Sequence, residues 1–128
     1  MSETTGHKTY TRANKPLVWF PFAAGGLVAA LMLPVLILVT GIALPLGLID
    51  AQAMSYERVH AFAAHPLGKI ILFGVLVLPL WHAAHRFRMT VQDLGARSSG
   101  SRSVVAALCY GFGMVFTLLC VAALVSFW

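Results

Sequence analysis

Acidic residues are scarce in this sequence, and none of them lies within its long apolar runs. The four acidic side chains are Glu3, Asp50, Glu57 and Asp93. Charged residues make up 10% of the 128 positions and hydrophobic residues 59%, whereas about 25% of the residues in a soluble domain are charged. This composition predicts an all-α integral membrane protein. Because a proton-coupled transporter normally keeps an ionisable group within its spans, transport by this chain alone is disfavoured.

Motifs of catalysis and metal binding are also lacking. The sequence has no nucleophile paired with a base, no HExxH and no glycine-rich phosphate loop. Its two cysteines, Cys109 and Cys120, lie about 16 Å apart along a helix, whereas disulfide-bonded Cα atoms lie within roughly 7 Å. They also lack the spacing of iron–sulfur ligands. These absences disfavour catalysis of the kind found in soluble enzymes, and no metal site is expected.

The basic residues lie at the ends of the apolar runs and give a net charge of +5. A nucleic-acid-binding protein would gather such residues on one face, so the partner that they indicate is the lipid bilayer and not a nucleic acid. Three basic residues precede the first run and four lie between the second and third. The positive-inside rule then predicts a cytoplasmic N-terminus and an external C-terminus. These basic residues are Lys8, Arg12 and Lys15, then Arg86, Arg88, Arg97 and Arg102.

Three apolar runs predict three transmembrane helices. The first run would measure roughly 45–50 Å as a helix, longer than the hydrocarbon core of about 30 Å, so part of it should lie outside that core. Pro34 falls within it and should kink the helix. The spans are predicted at about 22–44, 67–86 and 104–127, in an anchor domain covering 16–128 after a retained cytosolic tail, 1–15.

The connection between the first two spans contains a short amphipathic segment. Tyr56, Val59, His60 and Ala63 recur at helical spacing, which predicts a short interfacial helix starting near Ser55. Small residues four positions apart in the first and third spans predict close helix packing. These pairs are Gly25 with Ala29, Gly26 with Ala30, and Ala107 with Gly111.

Histidine, arginine and tryptophan gather where the second span ends. The stretch LPLWHAAHRFRM places His85 and Arg86 at the inner interface, and Trp19 and Phe22 should lie at the same depth on the first helix. An aromatic belt alone would explain Trp19 and Phe22, and a positive-inside stop would explain Arg86 and Arg88. Together they predict an apolar slot with hydrogen-bond donors, which suits a quinone headgroup. Trp19 and Trp81 are also expected as inner interfacial anchors and Trp128 as an outer one, and His82 as a structural hydrogen-bonding residue.

Haem is the competing cofactor, because four of the five histidines lie near span ends. Two ligands from this chain would have to come from different helices at one depth. His82 and His85 share a helix, whereas His60 and His65 lie on the outer side. A haem held by this chain alone is therefore not expected, and one shared with a partner helix stays open.

Three stretches resemble the membrane anchor known as the D subunit of the four-subunit quinol:fumarate reductases. They are the start of the first span, KPLVWFPFAAGG; the loop containing LPLGLIDAQAMSYERVHAFA; and the exit of the second span, LPLWHAAHR. The match covers roughly 15–95 in register. The motifs SYERV and LPLW-x-x-x-HR are its most specific part.

The resemblance implies a complex in the bacterial inner membrane with three partners: a second membrane anchor subunit, an iron–sulfur subunit, and a flavoprotein subunit. Menaquinol would be oxidised near the iron–sulfur subunit, and electrons would pass to fumarate at the flavin. By motif position, Trp19, Phe22, His85 and Arg86 would contribute to the quinone site, without haem. The alternative is a purely structural docking anchor, with the quinone site wholly in partner subunits.

Overall fold

The computed structural model describes residues 15–95 and 98–127, and over these residues the chain forms helices and no strand. The α-helices are α1, Lys15–Leu36; α2, Tyr56–Ala64; α3, Pro66–Leu94; and α4, Ser99–Ser126. A π-helix, Ile37–Ala43, continues α1, and a 3-10 turn, Ala51–Met54, precedes α2. The predicted tail up to Asn14, Arg97 and Trp128 lie outside the described residues.

Three segments of the described chain are long and apolar enough to cross a membrane, namely Trp19–Ala43, Pro66–Leu94 and Ser99–Ser126. The prediction of three spans with a short helix between the first two is confirmed. At one end the helices exceed the predicted spans, because α3 runs about two turns past residue 86 and α4 begins about one turn before residue 104. The polar residues that follow the second apolar run therefore lie on a helix and not on a loop.

Local sequence explains where the shorter connections begin and end. Ser55 occupies the N-cap position of α2, with Glu57 in the first turn, where a carboxylate interacts favourably with the helix dipole. Pro66 stands at the start of α3, and Gly95, with φ of 147°, follows its end. Ser98 caps α4 by accepting a hydrogen bond from the backbone N–H of Ser101 at 3.1 Å.

The first span changes its hydrogen-bonding pattern shortly after Pro34. Because proline has no N–H, the α-helical ladder is already interrupted there, and the π-helix starts at Ile37. The hydroxyl of Thr40 also donates to the carbonyl of Leu36 at 2.6 Å, an interaction that often bends helices. The irregularity predicted at Pro34 thus takes the form of a π-helical segment that begins three residues later.

Helix α3 lies between α1 and α4 and packs against both, and α2 also packs against α3. At Gly25 the backbone of α1 approaches the carbonyl of Leu78 so closely that any Cβ would collide with it. A Cβ on Gly26 would lie 2.7 Å from the imidazole of His82. On α4, Gly113 packs against α3, whereas Gly111 faces away from the other described helices, on a surface where the predicted packing would have to involve another subunit.

Few side chains are buried within this chain. The buried apolar residues of the described chain are Ala63, Val77, Ala84 and Leu124. Large apolar side chains along all three spans are exposed, for example Leu27, Phe112 and Leu118. Because soluble monomers rarely expose such continuous apolar surface, this distribution fits a chain surrounded by lipid and by other membrane subunits.

The two ends of the helix bundle differ in chemistry. The end that carries Arg86, Arg88 and Arg102, called the arginine end, contains the start of α1, the end of α3 and the start of α4. At the opposite end the ammonium group of Lys69 donates a hydrogen bond to the carbonyl of Phe127 at 2.8 Å. Lys69 thereby joins the start of α3 to the end of α4.

Candidate functional site

A cavity of about 410 Å³ lies between α1 and α3 at the arginine end. All four residues predicted to form a site, Trp19, Phe22, His85 and Arg86, line it. The structure therefore brings the predicted aromatic and cationic side chains to one place. The other lining residues, which sequence reasoning did not assign to the site, are Ala23, His82, Met89 and Asp93.

Helical periodicity explains how these residues meet. Positions 19, 22 and 23 lie on one face of α1, and positions 82, 85, 86, 89 and 93 lie on one face of α3. The close approach at Gly25 and Gly26 holds the two faces against each other one turn deeper in the bundle. Because α3 continues past the apolar run, Met89 and Asp93 extend the cavity wall toward the end of the bundle, and they could have been found by extending the helix.

His85 is the most constrained polar side chain of the cavity. Its ring packs against that of Phe22 from α1, with 4.6 Å between the ring centroids. Its Nδ1 lies 2.9 Å from the hydroxyl oxygen of Tyr110 on α4. His85 therefore contacts both neighbouring helices, although it is only half-buried.

Tyr110 and Arg88 form the polar support behind His85. Arg88 donates from Nη1 to the Tyr110 hydroxyl at 2.8 Å, and its guanidinium carbon lies 5.4 Å from the centroid of the Tyr110 ring. Sequence reasoning missed both partners. The available signal was a phenol hydroxyl in a span without charged residues, since such a group normally needs a hydrogen-bond partner when buried.

His82 makes the structural hydrogen bond predicted for it. Its Nδ1 lies 2.6 Å from the backbone carbonyl oxygen of Phe22. Because a carbonyl can only accept, the Nδ1 of His82 must carry the proton. This bond joins α3 to α1 beside the cavity and leaves the opposite edge of the His82 ring directed away from Phe22.

Trp81 differs from the prediction. It was expected to anchor the inner membrane interface, but its indole N–H donates to the Thr117 hydroxyl of α4 at 3.0 Å. Thr117 in turn donates to the carbonyl of Gly113 at 2.7 Å. Position 81 lies on the side of α3 that faces α4, and a buried indole N–H normally needs a partner, so Trp81 joins two helices instead of facing headgroups.

Comparison with known proteins decides the family. The family model that describes the D subunit of fumarate reductase matches residues 9–125. The chain belongs to the family of fumarate reductase D subunits. The match includes the first two spans, the third span up to residue 125, and every residue that lines the cavity.

Individual relatives agree with this family assignment. The chain is 44% identical over 110 residues to the fumarate reductase D subunit of Vibrio parahaemolyticus, covering 86% of each chain. It is 41% identical over 110 residues to that of Vibrio cholerae, covering 86% of this chain and 82% of the relative. It is 38% identical over 112 residues to that of Mycobacterium bovis, covering 88% and 87%.

Family and fold together describe a multi-pass membrane anchor. As a fumarate reductase D subunit, the chain is part of an oxidoreductase complex with other subunits. The three membrane-spanning helices supply the anchor. The exposed apolar surfaces of those helices are the surfaces available to lipid and to the other subunits.

Proposed function

We propose that this chain contributes one wall of a menaquinol-oxidation site, formed by Trp19, Phe22, His85 and Arg86. The observation that supports the proposal is the cavity at the arginine end, where these four side chains meet. Its volume of about 410 Å³ lies within the range of roughly 300–1,000 Å³ for small-molecule sites. Aromatic walls with a few convergent donors suit a planar headgroup that carries two oxygens.

Each wall residue has a distinct role in this proposal. Trp19 and Phe22 pack against the quinol ring, and the isoprenoid tail extends into lipid. Arg86 and His85 donate hydrogen bonds to the quinol oxygens. Arg86 suits this role because guanidinium always carries its protons and donates to oxygen acceptors in a fixed geometry.

The reaction at this site releases both electrons and protons. Menaquinol is oxidised to menaquinone and loses two electrons and two protons. The iron–sulfur subunit and the flavin, both held by partner chains, would carry the electrons to fumarate, which would take up two electrons and two protons to become succinate. The protons leave toward the water at the arginine end, where the exposed carboxylate of Asp93 lies at the cavity.

The redox groups belong to the partner subunits in this proposal. The chain itself is a noncatalytic membrane subunit without haem. Together with the second membrane anchor, it attaches the iron–sulfur and flavoprotein subunits to the membrane. The charge distribution supports a cytoplasmic arginine end, a cytoplasmic N-terminus and an external C-terminus in the bacterial cell membrane.

Arg86→Leu tests the proposal in the intact complex, purified with its partner subunits in mild detergent. Menadiol, a quinol without a tail, serves as electron donor in one assay, and reduced benzyl viologen, which bypasses the quinol site, serves in the other. We expect menadiol-driven fumarate reduction to fall at least tenfold, because a charged hydrogen bond to the substrate is lost. Viologen-driven fumarate reduction should stay unchanged.

Arg102→Leu is the matched control. Arg102 is an exposed arginine at the same end of the bundle but does not line the cavity. Its replacement should leave both assays unchanged. Unchanged menadiol turnover in Arg86→Leu would contradict the proposal, and loss of membrane attachment without loss of quinol affinity would favour a purely structural docking anchor.

A further inference from the structure

A small polar cluster joins α3 to α4 directly behind the cavity. The Tyr110 hydroxyl oxygen lies 2.9 Å from Nδ1 of His85 and 2.8 Å from Nη1 of Arg88. Tyr110 itself does not line the cavity, whereas His85 does. The cluster therefore reaches the proposed quinol site only through the imidazole of His85.

The hydrogen bonds that the phenol can donate and accept determine where the protons lie in this cluster. Arg88 can only donate, so the Tyr110 oxygen accepts from Nη1. The phenol proton then needs an acceptor, and among the described residues the one within hydrogen-bonding distance is Nδ1 of His85. A proton on Nδ1 would instead leave the phenol proton without a partner. The arrangement that gives both the phenol proton and Nη1 of Arg88 a partner therefore has neutral His85 with its proton on Nε2.

Packing fixes the orientation of the same ring. Phe22 packs against His85 with the rings tilted by 33° and 4.6 Å between their centroids, and the Tyr110 ring lies within 19° of parallel to the imidazole, with centroids 6.5 Å apart. Tyr110 is itself stacked on Trp81, with centroids 6.1 Å apart. Rotation of the imidazole would therefore break both the stacking and the hydrogen bond to Tyr110.

We propose that Tyr110 is a positioning residue that holds His85 with Nε2–H presented to a quinol oxygen. Nε2 is the second ring nitrogen and is not the one bonded to Tyr110, so it is the nitrogen left available to a ligand in the cavity. Arg88 supports Tyr110 by occupying a lone pair of its oxygen and so directs the phenol proton to His85. This inference rests on the proposed function, because it assigns a purpose to His85 as part of the quinol site.

A structural role for Tyr110 is the competing explanation, and the same helix pair contains a suitable comparison. Thr117 is another α4 hydroxyl that bonds to an α3 side chain, Trp81, at 3.0 Å. Tyr110→Phe and Thr117→Val each remove one such hydroxyl, but only the first removes the partner of His85. Loss of a bond between α3 and α4 is therefore common to both variants, and loss of His85 positioning is specific to Tyr110→Phe.

The experiment is a double-mutant cycle in the purified complex. Tyr110→Phe, His85→Ala, the double variant and Thr117→Val are assayed with menadiol and with reduced benzyl viologen. We expect Tyr110→Phe to lower kcat/KM for menadiol about fivefold, the effect of losing one hydrogen bond. In the His85→Ala background the same substitution should have no further effect. Thr117→Val should leave menadiol turnover unchanged, and the viologen rates should be equal throughout.

The remaining outcomes overturn the inference in distinguishable ways. If Tyr110→Phe matches the wild type while His85→Ala is impaired, Tyr110 does not position His85 and the proposed quinol site stands. If the effect of Tyr110→Phe is equally large in the His85→Ala background, or if Thr117→Val reproduces it, the role is structural. If His85→Ala turns over menadiol normally, the place of His85 in the proposed function fails as well.

Discussion

Gly25 is the residue on which the position of α1 against α3 depends most directly. A Cβ at this position would collide with the backbone carbonyl of Leu78, which cannot move without shifting α3. We expect Gly25→Ala to lower the free energy of unfolding by about 1–3 kcal/mol, the usual cost of overpacking. The measurement is an SDS titration of the purified chain in mild-detergent micelles.

Gly74→Ala provides the control for this prediction. Gly74 also lies within a membrane-spanning helix, but a Cβ there would have no atom within 4 Å outside its immediate neighbours. Its replacement should be neutral or slightly stabilising, because alanine has the higher helix propensity. Equal destabilisation by both substitutions would show that the close approach at Gly25 is not what fixes α1.

At the scale of single residues, the sequence predicted the depth of a side chain in the membrane better than its hydrogen-bonding partners. Trp19 and His85 could be placed at one level, because distance along a helix follows from residue number. The hydrogen bond of His82 was also predicted, although its acceptor was not. Tyr110 and the partner of Trp81 were missed, since they depend on which face of α3 meets α4, and residue spacing within one helix does not determine that.

At the scale of elements, α3 organises the molecule. It packs against the three other α-helices and supplies five of the eight cavity residues. The number of spans and the short helix α2 followed from apolar run lengths and from the SYERV segment. The extension of α3 to Leu94 and the π-helix in the first span could not be predicted in this way. The length of an apolar run determines neither where a helix ends nor which hydrogen-bonding pattern its backbone adopts.

Lys69 provides a test of how the elements are joined at the end opposite the cavity. Its ammonium group bonds to the carbonyl of Phe127, which follows α4. We expect Lys69→Met to increase amide hydrogen exchange in the last turn of α4, because a cationic donor no longer satisfies a carbonyl at the helix C-terminus. Mass spectrometry of the intact complex measures this exchange peptide by peptide.

The same experiment contains its own reference region. The first turn of α4, near Ser98, is capped locally and lies at the arginine end. Its exchange should not change in Lys69→Met. If exchange rose equally along the whole of α4, the variant would have loosened the α3–α4 packing in general, and the specific role of Lys69 would be refuted.

At the scale of the whole molecule, the chain is one layer of a larger assembly. Helices α1, α3 and α4 have little buried core of their own and expose large apolar side chains along their length. Membership of the fumarate reductase D-subunit family is consistent with this exposure, because one chain of a membrane complex has other subunits as well as lipid around it. The composition was enough to predict a location in the membrane, whereas the family could be predicted only from particular motifs such as SYERV.

Photolabelling of the intact complex with an azido-naphthoquinone, followed by peptide mapping, tests whether the cavity at the arginine end holds a quinone. We expect label on this chain within positions 19–23 and 82–93, and excess menadione should displace it. Label confined to the partner subunits, or to the opposite end of this chain near Lys69, would contradict this expectation.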